Sequence, residues 1–256
     1  MSSQNRIAVS VADLPLNVPW EKCFAMAAEA GADGVELMGG PRAGWNHSRI
    51  DRWARELKLP IVSVHQASWE ILRLIVAEGN MKQAAGWANL YVIHPPLTRG
   101  DDGNGYFESI DGWAKKYRMK VCLENMPPTK MMKWVNFLGK TDAKWVEVEE
   151  VAKECQRRGW TMTLDTSHWQ QEKPDEKKLA RILPVLENIH ISDWGGDKQH
   201  LGLGQGRMDI EAWMRWILRY YPGQVTLELT PKYWVDGVSY LRELQESIRI
   251  LRLWLK

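Results

Sequence analysis

Val121-Cys-Leu-Glu124 is a short apolar run that stops on a carboxylate, and the chain repeats the form. Val225-Thr-Leu-Glu228 ends the same way, and Thr161-Met-Thr-Leu-Asp165 reaches an aspartate with His168 three residues beyond. Ile61-Val-Ser-Val closes on His65, and Tyr91-Val-Ile closes on His94. Asn188-Ile-His-Ile carries His190 within it, and His200 lies in the next loop. One histidine beside an apolar run means little, because a core imidazole can bond to backbone. Six such runs form a pattern. If they are parallel strands of one sheet, their side chains converge on a single point, and the residue types are those of a metal site.

Strand-like runs begin near Arg6, Gly34, Ile61, Leu90, Lys120, Thr161, Asn188 and Val225, mostly about thirty residues apart. Helix-patterned segments separate them. Pro19 to Ala30 precedes Gly31, Trp145 to Arg158 precedes Gly159, Asp209 to Tyr220 precedes Pro222, and Val238 to Trp254 closes the series. Strands alternating with helices imply parallel βα units, and eight of them imply a closed (β/α)8 barrel of the α/β class. The active site of such a barrel lies at the C-terminal ends of its strands, where every candidate ligand falls. The longest connection, Met126 to Lys144, mixes prolines with apolar groups and is expected either to cover that face as a lid or to form a surface loop.

A length of 256 residues suits one such domain across 1–256. The composition, 45% hydrophobic and 26% charged, is that of a folded globular chain, and a net charge of +2 selects no partner. Three cysteines without a CxxC pair point to a reducing compartment, and the polar start Met-Ser-Ser-Gln-Asn-Arg gives no signal peptide, so the expected location is cytoplasmic. No run is long and apolar enough to cross a membrane. Fifteen tryptophans stand against three phenylalanines. Trp20, Trp87, Trp145, Trp213, Trp216 and Trp254 fall in helical pattern and read as packing. Trp45, Trp69, Trp169, Trp194 and Trp234 come after strand ends, where they can either pack or wall a substrate pocket.

Glu124, Asp165, His190 and Glu228 end four successive strands. Three carboxylates and an imidazole suit one divalent ion such as Mn²⁺, Mg²⁺, Co²⁺ or Zn²⁺. His168 can turn back over the barrel mouth as a ligand or a substrate donor. His65 and His94 are not needed by one ion; a cluster of ions would use them, and so would a hydroxylated substrate. His200, with Asp193 and Asp197, lies in the glycine-rich loop that continues through Gly206. That loop is not a nucleotide cradle, because no helix begins directly after Ile191. Glu36 ends a strand in Asp33-Gly-Val-Glu-Leu37 and is expected either at the site or paired with a lysine or arginine.

The segments Asp33-Gly-Val-Glu-Leu, Leu123-Glu-Asn, Leu164-Asp-Thr-Ser-His, His190-Ile-Ser-Asp, His200 with Leu203-Gly-Gln-Gly, and Leu227-Glu-Leu together resemble the xylose isomerase-like barrel superfamily. That superfamily joins sugar isomerases and epimerases with the endonuclease IV family. On the epimerase pattern the resemblance implies one divalent ion on Glu124, Asp165, His190 and Glu228. Glu124 and Glu228 would exchange a proton with a sugar or polyol through an enediolate, with His168 and Arg207 as substrate contacts. On the endonuclease pattern it implies up to three zinc ions and abasic DNA as substrate. His65, His94, Glu124, Asp165, His168, His190, His200 and Glu228 would then match eight of nine ligands. The ninth position holds Lys198 instead of an aspartate, with Asp197 one residue further away, and no Arg- or Tyr-rich insertion suits a DNA minor groove. The epimerase pattern is therefore preferred. A barrel that binds a ligand without turnover is a third expectation, and the intact glutamate pair argues against it.

Overall fold

The computed structural model describes residues 6–11, 18–38, 46–66, 74–96, 104–128, 143–230 and 237–255. Eight parallel strands close into a barrel: β1 (Ile7–Ser10), β2 (Gly34–Met38), β3 (Ile61–His65), β4 (Leu90–Ile93), β5 (Lys120–Glu124), β6 (Thr161–Asp165), β7 (Leu186–Ile191) and β10 (Gln224–Leu227). Each strand pairs with its neighbours in sequence order, and β1 pairs with both β2 and β10 to close the ring. The expected strand starts hold to within one or two residues. The remaining two strands, β8 (Asp193–Gly195) and β9 (Lys198–Leu201), form an antiparallel hairpin where the sequence pattern predicts only a loop. Gly196 turns this hairpin with φ +62°, and the Gly195-Gly196 pair is its signal in the sequence.

The helices described are α1 (Trp20–Glu29), α2 (His47–Glu56), α3 (Leu74–Ala84), α4 (Asn104–Tyr117), α5 (Val148–Arg158), α6 (Thr166–Trp169), α7 (Glu176–Ile182), α8 (Ile210–Tyr220) and α9 (Gly237–Trp254). The expected helix from Trp145 begins three residues late. Trp145 is buried in a 3-10 turn over Ala143–Trp145, and Glu147 is extended before Val148 opens α5. Asp209 caps α8 by accepting from the Ala212 amide. Residues 129–142 of the Met126–Lys144 connection, with Trp45, Trp69 and Trp234, lie outside the described residues. No described helix is long and apolar enough to cross a membrane.

Period-two alternation along each strand divides the interior into two unlike parts. Val9, Val35, Leu37, Val64, Tyr91, Ile93, Val121, Leu123, Met162, Leu164, Ile189, Ile191, Val225 and Leu227 face outward and join the apolar layer under the helices. The intervening positions face inward. There Leu90, Val92 and Cys122 form a small separate apolar cluster. Ala8 and Gly34 also face inward, and among the other inner positions Glu36, Ser63, Thr163, Asn188 and Thr226 are polar and fully buried, with Gln224 below them. Gln224 donates to Thr226 Oγ1 (2.9 Å) and to Ser63 Oγ (3.4 Å), while Thr226 Oγ1 donates to Asn188 Oδ1 (3.0 Å). Buried polar groups need such partners, so this column is held by directional bonds.

Candidate metal centre

The same alternation that sends Val121 and Leu123 outward turns Glu124 inward at the top of β5. It does likewise for Asp165 on β6, His190 on β7 and Glu228 just past β10. One ligand atom from each of these four lies within 4.8 Å of the others. Ligands about 2.0–2.2 Å from a common cation are separated by distances of that order. Each of the four also has a buried atom without a hydrogen-bond partner among the described residues: Glu124 Oε1, Asp165 Oδ2, His190 Nδ1 and Glu228 Oε2. His190 Nδ1 and Glu228 Oε2 stand 2.6 Å apart, yet not in hydrogen-bonding geometry. Buried polar atoms are rarely left alone, and four that converge fit a divalent cation.

The four are held by their surroundings. Asp165 Oδ1 accepts from the His168 amide (2.7 Å) and Ser167 Oγ (2.9 Å), so one oxygen caps α6 and the other remains for the centre. Asn125, which the sequence pattern leaves without a role, ties β5 to β6. Its side chain donates to the Asp165 carbonyl and accepts from the Asp165 amide. Of the two placements expected for Glu36, at the site or paired with a lysine or arginine, the structure has the first. Glu36 Oε2 accepts from Ser63 Oγ (2.7 Å) and from His190 Nε2 (3.2 Å). The signal for this is the strand period, which turns Glu36, Ser63 and His190 to one side.

The remaining histidines surround this group. His65 Nε2 lies 2.9 Å and His94 Nε2 lies 3.5 Å from Glu124 Oε2, while His65 Nδ1 donates to the Gln66 carbonyl at 2.7 Å. His168 Nδ1 donates to the Asn125 carbonyl at 2.9 Å and lies 3.2 Å from Glu124 Oε1. His200 adopts φ +55°, rare outside glycine, with Nδ1 3.8 Å from Asp165 Oδ2. Three further sets have metal-ligand proximity: His65 with His94 and Glu124, His65 with His190 and Glu228, and Asp165 with His168 and His200.

The charges are strongly coupled. Burial disfavours a charged His65, but the bonded Glu124 carboxylate prevails and raises its pKa to about 9. Burial likewise opposes charge on His168, and Asp165 and Glu124 raise it to about 10. Glu36, Glu228 and Glu124 lift His190 well above the ordinary imidazole value against the same burial penalty. His94 moves the other way, because there burial outweighs Glu124. Burial would raise Glu124, but the imidazoles of His190, His168 and His65 hold it well below the usual carboxylate range. The cluster demands positive charge, as protons or as metal.

The other expected contacts pack against neighbours of their own. Trp169 is buried edge-on to Trp213, in the layer between strands and helices. Trp194 is buried on β8, and the exposed Arg207 lies over its ring at 5.8 Å. Asp193 lies beside the ligands in sequence but is spent on its own loop. It accepts from the amides of Trp194, Gly204, Gly206 and Met208 at 2.8–3.1 Å. A Cβ at Gly206 would run into the Trp194 carbonyl and this carboxylate. Asp197 and Lys198 are exposed at the hairpin tip.

The fold has many solved counterparts. A D-psicose 3-epimerase from Clostridium cellulolyticum superposes with a TM-score of 0.72 at 17% identity, covering 98% of this chain and 99% of that one. A D-allulose 3-epimerase from Methylomonas sp. gives 0.73 at 15% identity, over 98% of each chain. Endonuclease IV from Thermus thermophilus gives 0.67 at 18% identity, over 98% of each. No curated protein sequence matches. The sequence profile described as the xylose isomerase-like TIM barrel matches residues 24–244, and the chain belongs to that family.

Proposed function

We propose that this protein is a divalent-metal-dependent isomerase or epimerase of a sugar or polyol. The observation that carries the reading is the convergence of four unpartnered buried ligand atoms, two of them on glutamates from different sides of the barrel mouth. Glu124, Asp165, His190 and Glu228 would hold Mn²⁺, Mg²⁺, Co²⁺ or Zn²⁺. Such an ion would supply positive charge to bind substrate oxygens and to stabilise the negative charge that develops beside a carbonyl. Glu228 is the least enclosed of the four, its side chain 5% exposed against 0–1% for the others. One glutamate removes the proton α to the carbonyl and the other returns it, to the opposite face in an epimerase. Glu124 Oε2 is held in place by His65 Nε2, to which it is bonded. His168, with Nδ1 committed to the Asn125 carbonyl, keeps Nε2 for a substrate hydroxyl. The likeness to ketose 3-epimerases supports the same reading.

The test is exchange of the substrate's carbon-bound proton in D₂O, screened over ketoses and inositols. Glu124→Gln and Glu228→Gln should each slow it by about 100-fold or more. Exchange at the wild-type rate in either variant rejects the mechanism.

The further histidine sets favour a second reading, a multi-zinc phosphodiesterase on abasic DNA. The exposure of Asp197 and Lys198 weighs against it, since neither supplies a ninth ligand. Elemental analysis of protein purified without chelator or added metal separates the two: about one ion per chain supports the isomerase, about three zinc ions the nuclease.

A further inference from the structure

Glu36 is fully buried, has no lysine or arginine among its described contacts, and is aimed at the ring nitrogen of His190 that faces away from the other ligands. The bonds around it have a fixed direction. Gln224 Nε2 has only protons to give and points at Ser63 Oγ; Ser63 Oγ then gives its own proton to Glu36 Oε2 at 2.7 Å. Glu36 Oε2 therefore faces donors only. For the 3.2 Å contact to be attractive, His190 must carry its proton on Nε2. That leaves Nδ1 as the nitrogen turned toward Glu228 Oε2, at 2.6 Å, and Glu124 Oε1, at 3.7 Å.

We propose that Glu36 is the positioning residue of the metal centre, accepting a hydrogen bond from the Nε2–H of His190 and so presenting the Nδ1 lone pair to the cation. A metal-bound imidazole generally donates its second N–H to a carboxylate or carbonyl, which fixes ring orientation and tautomer and strengthens the ligand. Here that partner comes from β2, on the opposite arc of the barrel from the four ligand strands, and Ser63 on β3 steadies it. The inference rests on the metal centre proposed above but not on which substrate it serves. Loss of the carboxylate leaves all four ligands in place and removes only what orients one of them.

The experiment compares Mn²⁺ binding, by calorimetry, to wild-type protein, Glu36→Gln and Ser63→Ala, each stripped of metal and checked for folding by circular dichroism. Glu36→Gln should weaken binding by about 10- to 100-fold. Ser63→Ala keeps the carboxylate and should stay within about threefold of wild type, which a packing defect in the same column would not predict. In parallel, ¹⁵N NMR of histidine-labelled wild-type protein with one equivalent of Zn²⁺ should show His190 protonated at Nε2. An unchanged Kd in Glu36→Gln overturns the proposal, and so does His190 protonated at Nδ1, whether or not any variant folds. Wild-type protein that binds neither ion removes the metal centre itself.

Discussion

Asp165 uses its two oxygens differently, and the difference can be measured. Oδ1 caps α6 through the His168 amide, while Oδ2 faces the ligand cluster without a partner. Asparagine caps a helix about as well as aspartate but is a weaker, neutral ligand. Asp165→Asn should therefore keep the wild-type unfolding midpoint to within about 1 kcal/mol and lose Mn²⁺ affinity by at least about 10-fold, whereas Asp165→Ala loses both. Calorimetric titration beside urea denaturation reads the two effects separately; unchanged affinity in Asp165→Asn would remove it from the ligand set. The sequence exposes residues of this kind because a strand-end carboxylate is visible as such. It hides partnerships across the barrel: Glu36 and His190 are 154 positions apart, and only closure of the ring brings them together.

At the level of elements, strand period two and helix period near four are enough to place the eight barrel strands. The departures arise where local signals compete with long-range ones. Trp145 fits the helical pattern of the residues after it, yet its burial in a 3-10 turn and the extended Glu147 delay α5. The β8–β9 hairpin rests on strands of three and four residues, too short for alternation to declare them. The glycine-rich turn behind it is shaped by Asp193, whose carboxylate gathers four amides from Trp194, Gly204, Gly206 and Met208. Asp193→Ala should strand those donors and destabilise the protein by about 2–4 kcal/mol, visible as a lower urea midpoint. A loss below about 1 kcal/mol would mean that water satisfies the amides instead.

Across the whole molecule, the buried centre couples stability to pH. His65 and His168 have pKa values raised to about 9 and about 10. A group whose folded pKa is raised contributes stability that is complete below its unfolded value, near 6.5, and lost as pH climbs through the folded value. Metal-stripped protein should thus show a melting temperature that falls between about pH 7 and pH 10, by scanning calorimetry. Added Mn²⁺ should oppose the fall, because binding displaces the same protons. A melting temperature that is level or rising over this window would show that these imidazoles are not charged in the fold. The polar inner column carries a different consequence, for how such a chain can change over generations. Outward positions such as Val121 and Leu164 ask only for aliphatic bulk, so they can drift singly. Ser63, Asn188, Gln224 and Thr226 share protons in fixed directions, and any one replaced alone takes a bond from a neighbour. In diverging descendants these four should be inherited as a block, and a barrel that loses one should be found to have exchanged its neighbours too.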